Sequence, residues 1–361
     1  MLFRSPASPQ RWPQQITRLL AWLNRRRCLL VLDDVEAVMP SDGQSGRDYP
    51  TWASYNELFQ WIGATHHQSC LLLLSRDIPS AFAHWEEQTP AVRSLQLTGL
   101  DLADGRQLLA ATGVTGSTDL TARLIQRYSG HPLALRVAAE TIQEIFNGSI
   151  ERFLAAGVLI FDELRAILDE QFTRLTAVER ELLLRLVLEG TVMPPENLWS
   201  IATEPATRRA YLEAQRALLR RAWVEPHPAG VWAPALVVEY VADRVIEQVY
   251  QEVIAVGTGV PASHTLLNHY TLGKKSGQEE NLENRRPDLL QAVARQWVAH
   301  LGQNRAQMQT QSMITALQSQ APGEHVYALP NLQRLLHYLT PTPMPSLESP
   351  TSMANHSRTL P

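Results

Sequence analysis

Two short apolar runs in this sequence end in polar side chains that could bind a metal ion and a phosphate. The first ends in Asp33 and Asp34, and the second ends in Ser75 and Arg76. Such short runs are typical of strands buried on both faces of a parallel sheet. In these sheets, ligands bind beyond the carboxyl ends of the strands. The four side chains are therefore predicted to share one rim, where a magnesium-bound nucleotide would bind, although similar runs also occur in α/β proteins without a ligand site.

Helices and a third strand are predicted to position this rim. About 35 residues separate the two runs, which is the length of a right-handed crossover, and residues 54–64 are predicted to form its helix. A helix over residues 16–25 leads into the first strand, and residues 92–97 alternate apolar and polar residues as an edge strand does. Residues 40–49 are rich in Gly, Ser and Asp, which predicts a mobile surface loop. The expected sheet thus has three strands.

The composition favours a soluble globular protein of two or three domains. The chain has 361 residues, of which 45% are hydrophobic and 19% charged, and its formal net charge is −4. This balance does not favour nucleic-acid binding. The sequence shows neither a signal peptide nor a membrane span, so we expect a cytoplasmic protein with no membrane partner. Cys28 and Cys70 each begin a predicted strand, which favours packed, reduced thiols over a disulfide or a metal site.

The second part of the sequence is helical. Asp101 is placed to cap the first of these helices, and Gly130 and Pro132 stand at the start of another, where proline is tolerated. Thr176 and Glu179 form a capping box. Helices are predicted over residues 101–111, 118–128, 132–146, 161–175, 180–188, 206–221, 237–253, 288–301, 303–320 and 331–338. Residues 223–225 and 231–233 are predicted to form a two-stranded wing, which with the preceding helices describes a winged helix.

The order of these segments resembles the NB-ARC module of STAND signalling ATPases, in particular bacterial and cyanobacterial members that carry C-terminal WD repeats. Four motifs carry the resemblance, at residues 29–34, 71–76, 97–100 and 130–135. The resemblance implies an α/β fold, with a partial P-loop NTPase parallel sheet, followed by an all-α helical bundle and a winged-helix domain. It implies a truncated nucleotide-binding domain at 1–98, an ARC-like helical bundle at 99–155, a winged helix at 156–235, a C-terminal helical region at 236–339 and a disordered tail at 340–361.

The resemblance also implies roles for individual residues, with ADP or ATP and Mg²⁺ as cofactors. Asp33 would hold the Mg²⁺, usually through water, and Asp34 would orient or activate the attacking water. Arg76 would sense the terminal phosphate. The remaining nucleotide contacts would come from Ser75, Gly130 and Pro132. These roles agree with the needs of phosphoryl transfer, which depends mainly on positioned charge.

Two features depart from the family pattern. The phosphate-cradling loop, Gly-x-x-x-x-Gly-Lys-Ser/Thr, is absent from the 361 residues, and its nearest match at residues 273–276 has Asn268 in place of the upstream glycine. Because the family places this loop before the first motif, the sequence is interpreted as an N-terminally truncated module. The Met-His-Asp motif that contacts ADP in many members is also missing, since Glu239 and its neighbours stand there. We therefore expect a fragmentary or degenerate switch, with weak nucleotide binding and weak or no hydrolysis on its own.

Two other functions are compatible with the sequence. One is a winged-helix DNA-binding regulator that uses arginines on or near the third helix, namely Arg208, Arg209, Arg216, Arg220 and Arg221. An arginine-rich amphipathic helix is more often a solvated face, so nucleic acid is not the favoured partner. The other is a nucleotide-independent interaction module. Besides the nucleotide, the expected partners are a protein effector or a second copy of the chain.

Overall fold

The computed structural model describes residues 12–39, 50–77, 82, 85–86, 89–199, 204–257, 266–273, 288–318 and 327–340. Most of these residues are helical. By its internal contacts the chain forms two compact units, residues 1–244 with 277–287 and residues 245–276 with 288–361. Within the described residues, no helix combines the length and apolar character needed to cross a membrane.

A two-stranded parallel sheet and two helices begin the first unit. The elements are α1 (Trp12–Arg25), β1 (Leu29–Leu32), a 3₁₀ turn (Val35–Val38), α2 (Pro50–Ala64) and β2 (Cys70–Leu73). β1 and β2 pair in parallel, with Leu29 opposite Cys70 and Leu32 opposite Leu73. The predicted parallel strands are therefore confirmed. Both helices begin earlier than the sequence predicts, and the Trp12 indole N–H donates to the Ser54 carbonyl at 3.1 Å, which joins their first turns.

The prediction that both strands are buried on both faces is wrong. Leu29 and Val31 are 66% and 46% exposed, and Leu72 is 44% exposed, whereas the alternate residues of each strand are half-buried. One face of the sheet packs with the two helices, so only that row of side chains is covered. Cys70 belongs to the exposed row and is free, which corrects the prediction of a packed thiol, while Cys28 is half-buried and also free.

The predicted third strand at residues 92–97 is also wrong. The segment from 93 to 99 is exposed throughout and belongs to neither sheet, and Leu95 and Leu97 are 85% and 82% exposed. Alternation describes which side chains would share a face, but a strand exists only where a neighbouring strand accepts its hydrogen bonds. In the described part of the chain, the parallel sheet therefore has two strands rather than three.

Helices dominate the first unit after residue 100. They are α3 (Leu102–Ala111), α4 (Thr118–Arg127), α5 (Pro132–Phe146), α6 (Ile150–Ala156), α7 (Asp162–Thr173), α8 (Ala177–Glu189), α9 (Pro195–Trp199), α10 (Pro205–Arg220) and α11 (Ala235–Gly257). The Asp101 carboxylate accepts from the N–H groups of Ala103 and Asp104, and Thr176 and Glu179 form the complete capping box. Both predicted caps are therefore confirmed.

An antiparallel hairpin separates α10 from α11. Its strands are β3 (Glu225–His227) and β4 (Gly230–Trp232). β3 begins two residues later than predicted, because the Trp223 N–H still donates to the Leu218 carbonyl of α10 at 3.0 Å. Trp223 and Val224 are buried in the core, at 2% and 1% exposure. The predicted two-stranded element is thus present with shifted ends.

The second unit is helical. Beyond its share of α11, it contains α12 (Leu266–His269), α13 (Leu289–Leu301), α14 (Gln303–Gln318) and α15 (Ala328–Leu339). Asn331, which is 2% exposed, donates to the carbonyls of Leu267 and Tyr270 and accepts from the Leu272 N–H. The predicted loop at 40–49, the predicted tail from 341 onward and most of the basic loop at 273–276 lie outside the described residues.

Two parts of the first unit are named for brevity: residues 12–92 are the sheet body, and residues 100–244 are the helical body. Among the described residues, the hydrophobic cluster around the sheet contains only residues of the sheet body.

Candidate functional site

Asp33 and Asp34 turn the chain away from the carboxyl end of β1. The Asp34 N–H donates to Oδ1 of Asp33 at 2.9 Å, and Asp34 has a left-handed backbone with φ of 56°. The Val35 N–H then donates to the carbonyl of Leu74 at 3.2 Å, which continues the link between the strands beyond their last paired residues. Both aspartates are exposed. Their carboxylates therefore lie at the expected edge of the sheet and are accessible to a ligand.

Glu36 is a buried carboxylate at the same edge, and the sequence prediction missed it. The residue is 7% exposed, and its Oε1 lies 3.6 Å from Nε of Arg76. Burial alone would raise the pKa of Glu36, but the backbone N–H groups of Glu36 and Arg76, the Ser75 hydroxyl and the Arg76 charge hold it below its ordinary value. Oε2 is buried without a hydrogen-bond partner. The one sequence signal was an acidic residue inside an otherwise apolar turn.

Arg76 lies between two carboxylates. Besides Glu36, its guanidinium approaches Glu170 of α7, at 3.9 Å between Nη1 and Oε1. The Arg76 side chain is 49% exposed, so water screens these pairs and each contributes little to stability. A phosphate that binds Arg76 has to compete with both carboxylates.

Gly130 and Pro132 lie in the helical body. Gly130 has φ of 67°, and a Cβ added there would lie 2.2 Å from the carbonyl oxygen of Leu100, so this contact requires glycine. Leu100 in turn donates its N–H to the Gly130 carbonyl at 2.8 Å. Pro132 is exposed at the start of α5. Among the described residues, no hydrogen bond or ion pair joins Gly130 or Pro132 to the strand ends, and their expected contact with a nucleotide stays a prediction.

This edge of the sheet supplies only part of the ligand set that Mg²⁺ needs. The described residues contain no group of three or more His, Cys, Asp or Glu side chains that could hold a metal. Mg²⁺ is often bound by one or two carboxylates, with water and the substrate phosphates completing its octahedron. Asp33 and Asp34 match that kind of set, and a phosphate would have to supply the rest.

Arg221, one of the arginines considered for DNA binding, instead joins the helical body to the sheet body. It follows α10 and pairs with Asp77, directly after the Arg76 position, and with Glu179 at 3.0 Å. Burial alone would lower the pKa of Arg221, but Asp77 and Glu179 raise it. No local pattern could have identified this pair, since Arg221 and Asp77 are 144 positions apart. The other arginines of α10 are exposed, namely Arg208, Arg209, Arg216 and Arg220.

Glu239 occupies the place where the resemblance expects a nucleotide-contacting motif. Its Oε1 accepts from the N–H groups of Leu159 and Ile160, at 2.8 and 3.1 Å. Burial raises the pKa of Glu239, with the negative charge of Asp243 adding to this effect, while the two N–H donors oppose it. A carboxylate of this chain thus satisfies two backbone donors of buried residues.

Comparison with known proteins gives one informative similarity. No protein-family model matches the chain. Over 242 residues the chain is 37% identical to an uncharacterized WD repeat-containing protein of Nostoc sp. strain PCC 7120. The match takes 66% of this chain and 19% of the Nostoc protein, so the chain spans about a fifth of that protein's length. The similarity agrees with the expected likeness to cyanobacterial proteins that carry WD repeats.

Proposed function

We propose that this chain is part of an ADP- or ATP-binding switch of the STAND class, in which the sheet body and the following helices correspond to an NB-ARC module. One observation carries the proposal. The parallel pairing of β1 and β2 brings Asp33 and Asp34 to the same sheet edge as Ser75 and Arg76. This is the edge at which parallel sheets bind their ligands.

The helical body supports the proposal in two ways. The close contact between Gly130 and Leu100 accounts for the glycine that precedes the Pro-Leu-Ala sequence of the fourth motif. Helices α8 and α10 pack together, and the β3–β4 hairpin follows them, which is the element order of a winged helix. Both features fit the module and also have structural roles of their own.

We assign the residues the following roles. Asp33 holds Mg²⁺ through water, Asp34 orients water, and Ser75 and Arg76 face the phosphates. Bound Mg²⁺ would offset the negative charge of the phosphate oxygens. Gly130 and Pro132 contact the nucleotide, with Pro132 at the adenine or ribose.

Binding by this chain alone is expected to be weak, and hydrolysis is not expected. The 361 residues contain no phosphate-cradling loop, whose backbone amides and lysine supply most of the grip on a polyphosphate. In addition, Glu36 and Glu170 compete for Arg76. The Nostoc relative carries WD repeats by name, and we propose that the switch likewise acts within a larger protein that contacts protein partners.

Hydrogen exchange of the full chain, measured with and without magnesium and ADP, tests this function. We expect slower exchange in residues 33–39 and 74–77 at millimolar ADP, with an affinity weaker than about 1 μM. Asp33→Asn should remove the part of this protection that depends on magnesium. Asp119→Asn, which changes an exposed acid in the first turn of α4, is the matched control and should leave it unchanged. Phosphate release from ATP should stay at the level of buffer.

Three results would contradict the proposal or a part of it. Unchanged exchange at the strand ends in millimolar ADP would rule out nucleotide binding at this edge. Micromolar affinity or measurable phosphate release would show that the chain grips phosphate without the missing loop. Equal effects of Asp33→Asn and Asp119→Asn would show that Asp33 has no specific role.

A further inference from the structure

One carboxylate oxygen of Glu170 is shared by two arginines that lie far apart in the sequence. Oε1 of Glu170 lies 3.1 Å from Nη2 of Arg174 and 3.9 Å from Nη1 of Arg76. Glu170 belongs to the last turn of α7, Arg174 directly follows that helix, and Arg76 follows β2. The two guanidinium groups therefore face a common point, and an anionic oxygen already occupies it.

A third arginine adds positive charge at this end of α7. Arg180 donates from Nε to the carbonyl of Phe172 at 3.3 Å and from Nη2 to the carbonyl of Thr173 at 2.7 Å. The last carbonyls of a helix lack partners within the helix and give its C-terminus a partial negative charge, which repels anions. Because Arg180 binds two of these carbonyls, it offsets that repulsion next to Arg174.

Glu170 is held loosely enough for a ligand to replace it. Its side chain is 54% exposed, so water screens both of its ion pairs and each adds little to stability. The other carboxylate at Arg76 belongs to Glu36, which is buried and lies at Nε of the guanidinium rather than at Nη1. Of the two carboxylates, Glu170 is therefore the one that can rotate into water and leave Nη1 of Arg76 to a ligand.

We infer that Arg76 and Arg174 form a binding site for a phosphate group, either inorganic phosphate or the terminal phosphate of a nucleotide, and that Glu170 fills this site in the absence of phosphate. A phosphate group carries more negative charge than a carboxylate, and its several oxygens match the planar fork of an arginine. Arg174 is the residue that this inference adds to the sheet edge. Because the site includes Arg76, the inference rests in part on the proposed function.

Isothermal titration calorimetry of the full chain with inorganic phosphate, at constant ionic strength, tests the role of Glu170. Glu170→Gln removes the competing charge and should tighten phosphate binding about twofold to fivefold. Misfolding cannot produce such a gain. The matched control is Glu181→Gln, because Glu181 forms the same kind of i,i+4 pair with Arg185 in α8, and it should leave the affinity unchanged.

The same titration tests the role of Arg174. Arg174→Gln should weaken phosphate binding roughly fivefold to tenfold, because one of the two charged donors is lost. Arg174→Lys keeps the charge but not the fork, so it should recover part of the loss. The control is Arg185→Gln, which should leave the affinity unchanged, and circular dichroism verifies that each variant is folded.

Titration with ADP and magnesium separates the two sources of the phosphate group. If a nucleotide is the ligand, ADP should bind more tightly than inorganic phosphate, and Arg174→Gln should weaken both. If inorganic phosphate depends on Glu170 and Arg174 as stated but ADP binds no more tightly, the site takes free phosphate, and the proposed nucleotide switch fails while the site stands.

Two results would overturn the site. One is ADP binding that depends on Asp33 while Glu170→Gln and Arg174→Gln behave like their controls, which would leave the nucleotide function intact without this site. The other is the absence of phosphate binding to Glu170→Gln at about 10 mM phosphate.

Discussion

Glu239 provides a sharp test of how the helical body is held together. One of its oxygens accepts hydrogen bonds from the N–H groups of Leu159 and Ile160, which are only 3% and 7% exposed. Glu239→Ala would leave both buried donors without an acceptor. Each unpaired donor costs about 1–3 kcal/mol, so we expect the free energy of unfolding of the helical body to fall by about 2–6 kcal/mol. For a body of this size the corresponding fall in Tm is roughly 5–20 °C.

Glu239→Gln separates the hydrogen bonds from the charge. The amide oxygen of glutamine can still accept from both N–H groups, whereas the negative charge is lost. The pKa of Glu239 is raised above its ordinary value of 4.5 by burial. The protonated form of Glu239 therefore stabilises the fold. This stabilisation is fully present below pH 4.5 and is lost as the pH rises through the folded-state pKa. Glu239→Gln should remove this loss and be at least as stable as the parent chain at neutral pH.

Thermal unfolding followed by circular dichroism, at several pH values from 4.5 upward, measures both effects. Glu247→Ala is the control, because Glu247 is an exposed acid on the same helix and its loss should cost less than about 0.5 kcal/mol. The reasoning fails if Glu239→Gln is as damaging as Glu239→Ala, since the charge would then matter more than the hydrogen bonds. It also fails if Glu239→Ala unfolds at the same temperature as Glu247→Ala.

Two further predictions concern the turn before α5. Gly130→Ala should lower the stability by several kcal/mol, because its Cβ would meet the Leu100 carbonyl. Gly157→Ala is the control, since Gly157 has a similar φ with open space around it, and it should cost only about 1 kcal/mol. Equal losses in thermal unfolding would refute the steric argument. Burial lowers the pKa of His131, whose Nδ1 accepts from the Ala134 N–H, so this cap should be complete above pH 6.5 and be lost as the pH falls through the folded-state pKa. His131→Asn keeps a cap that does not titrate, so unfolding of the variant should depend less on pH than unfolding of the parent chain. If both show the same pH dependence of unfolding, this role of His131 is refuted.

Local signals predicted most of the elements. Asp101 and the Thr176–Glu179 pair act within one helical turn, so their caps could be identified from spacing alone. Element ends were less accurate. For example, β3 starts later than predicted because the Trp223 N–H still bonds to the Leu218 carbonyl at the end of α10. The alternating segment at 92–97 was wrongly assigned as a strand, since alternation does not reveal whether a partner strand is available.

The sequence by itself determined where the two strands end and that their ends carry Asp33, Asp34, Ser75 and Arg76. It could not determine which charges meet. Several arginines on or beside α10 share the same local pattern, and only the path of the chain brings Arg221 to Asp77, 144 positions away. The tertiary structure alone likewise placed Glu36 and Glu170 beside Arg76. Pairing of distant charges depends on how separate elements pack, and no local periodicity encodes it.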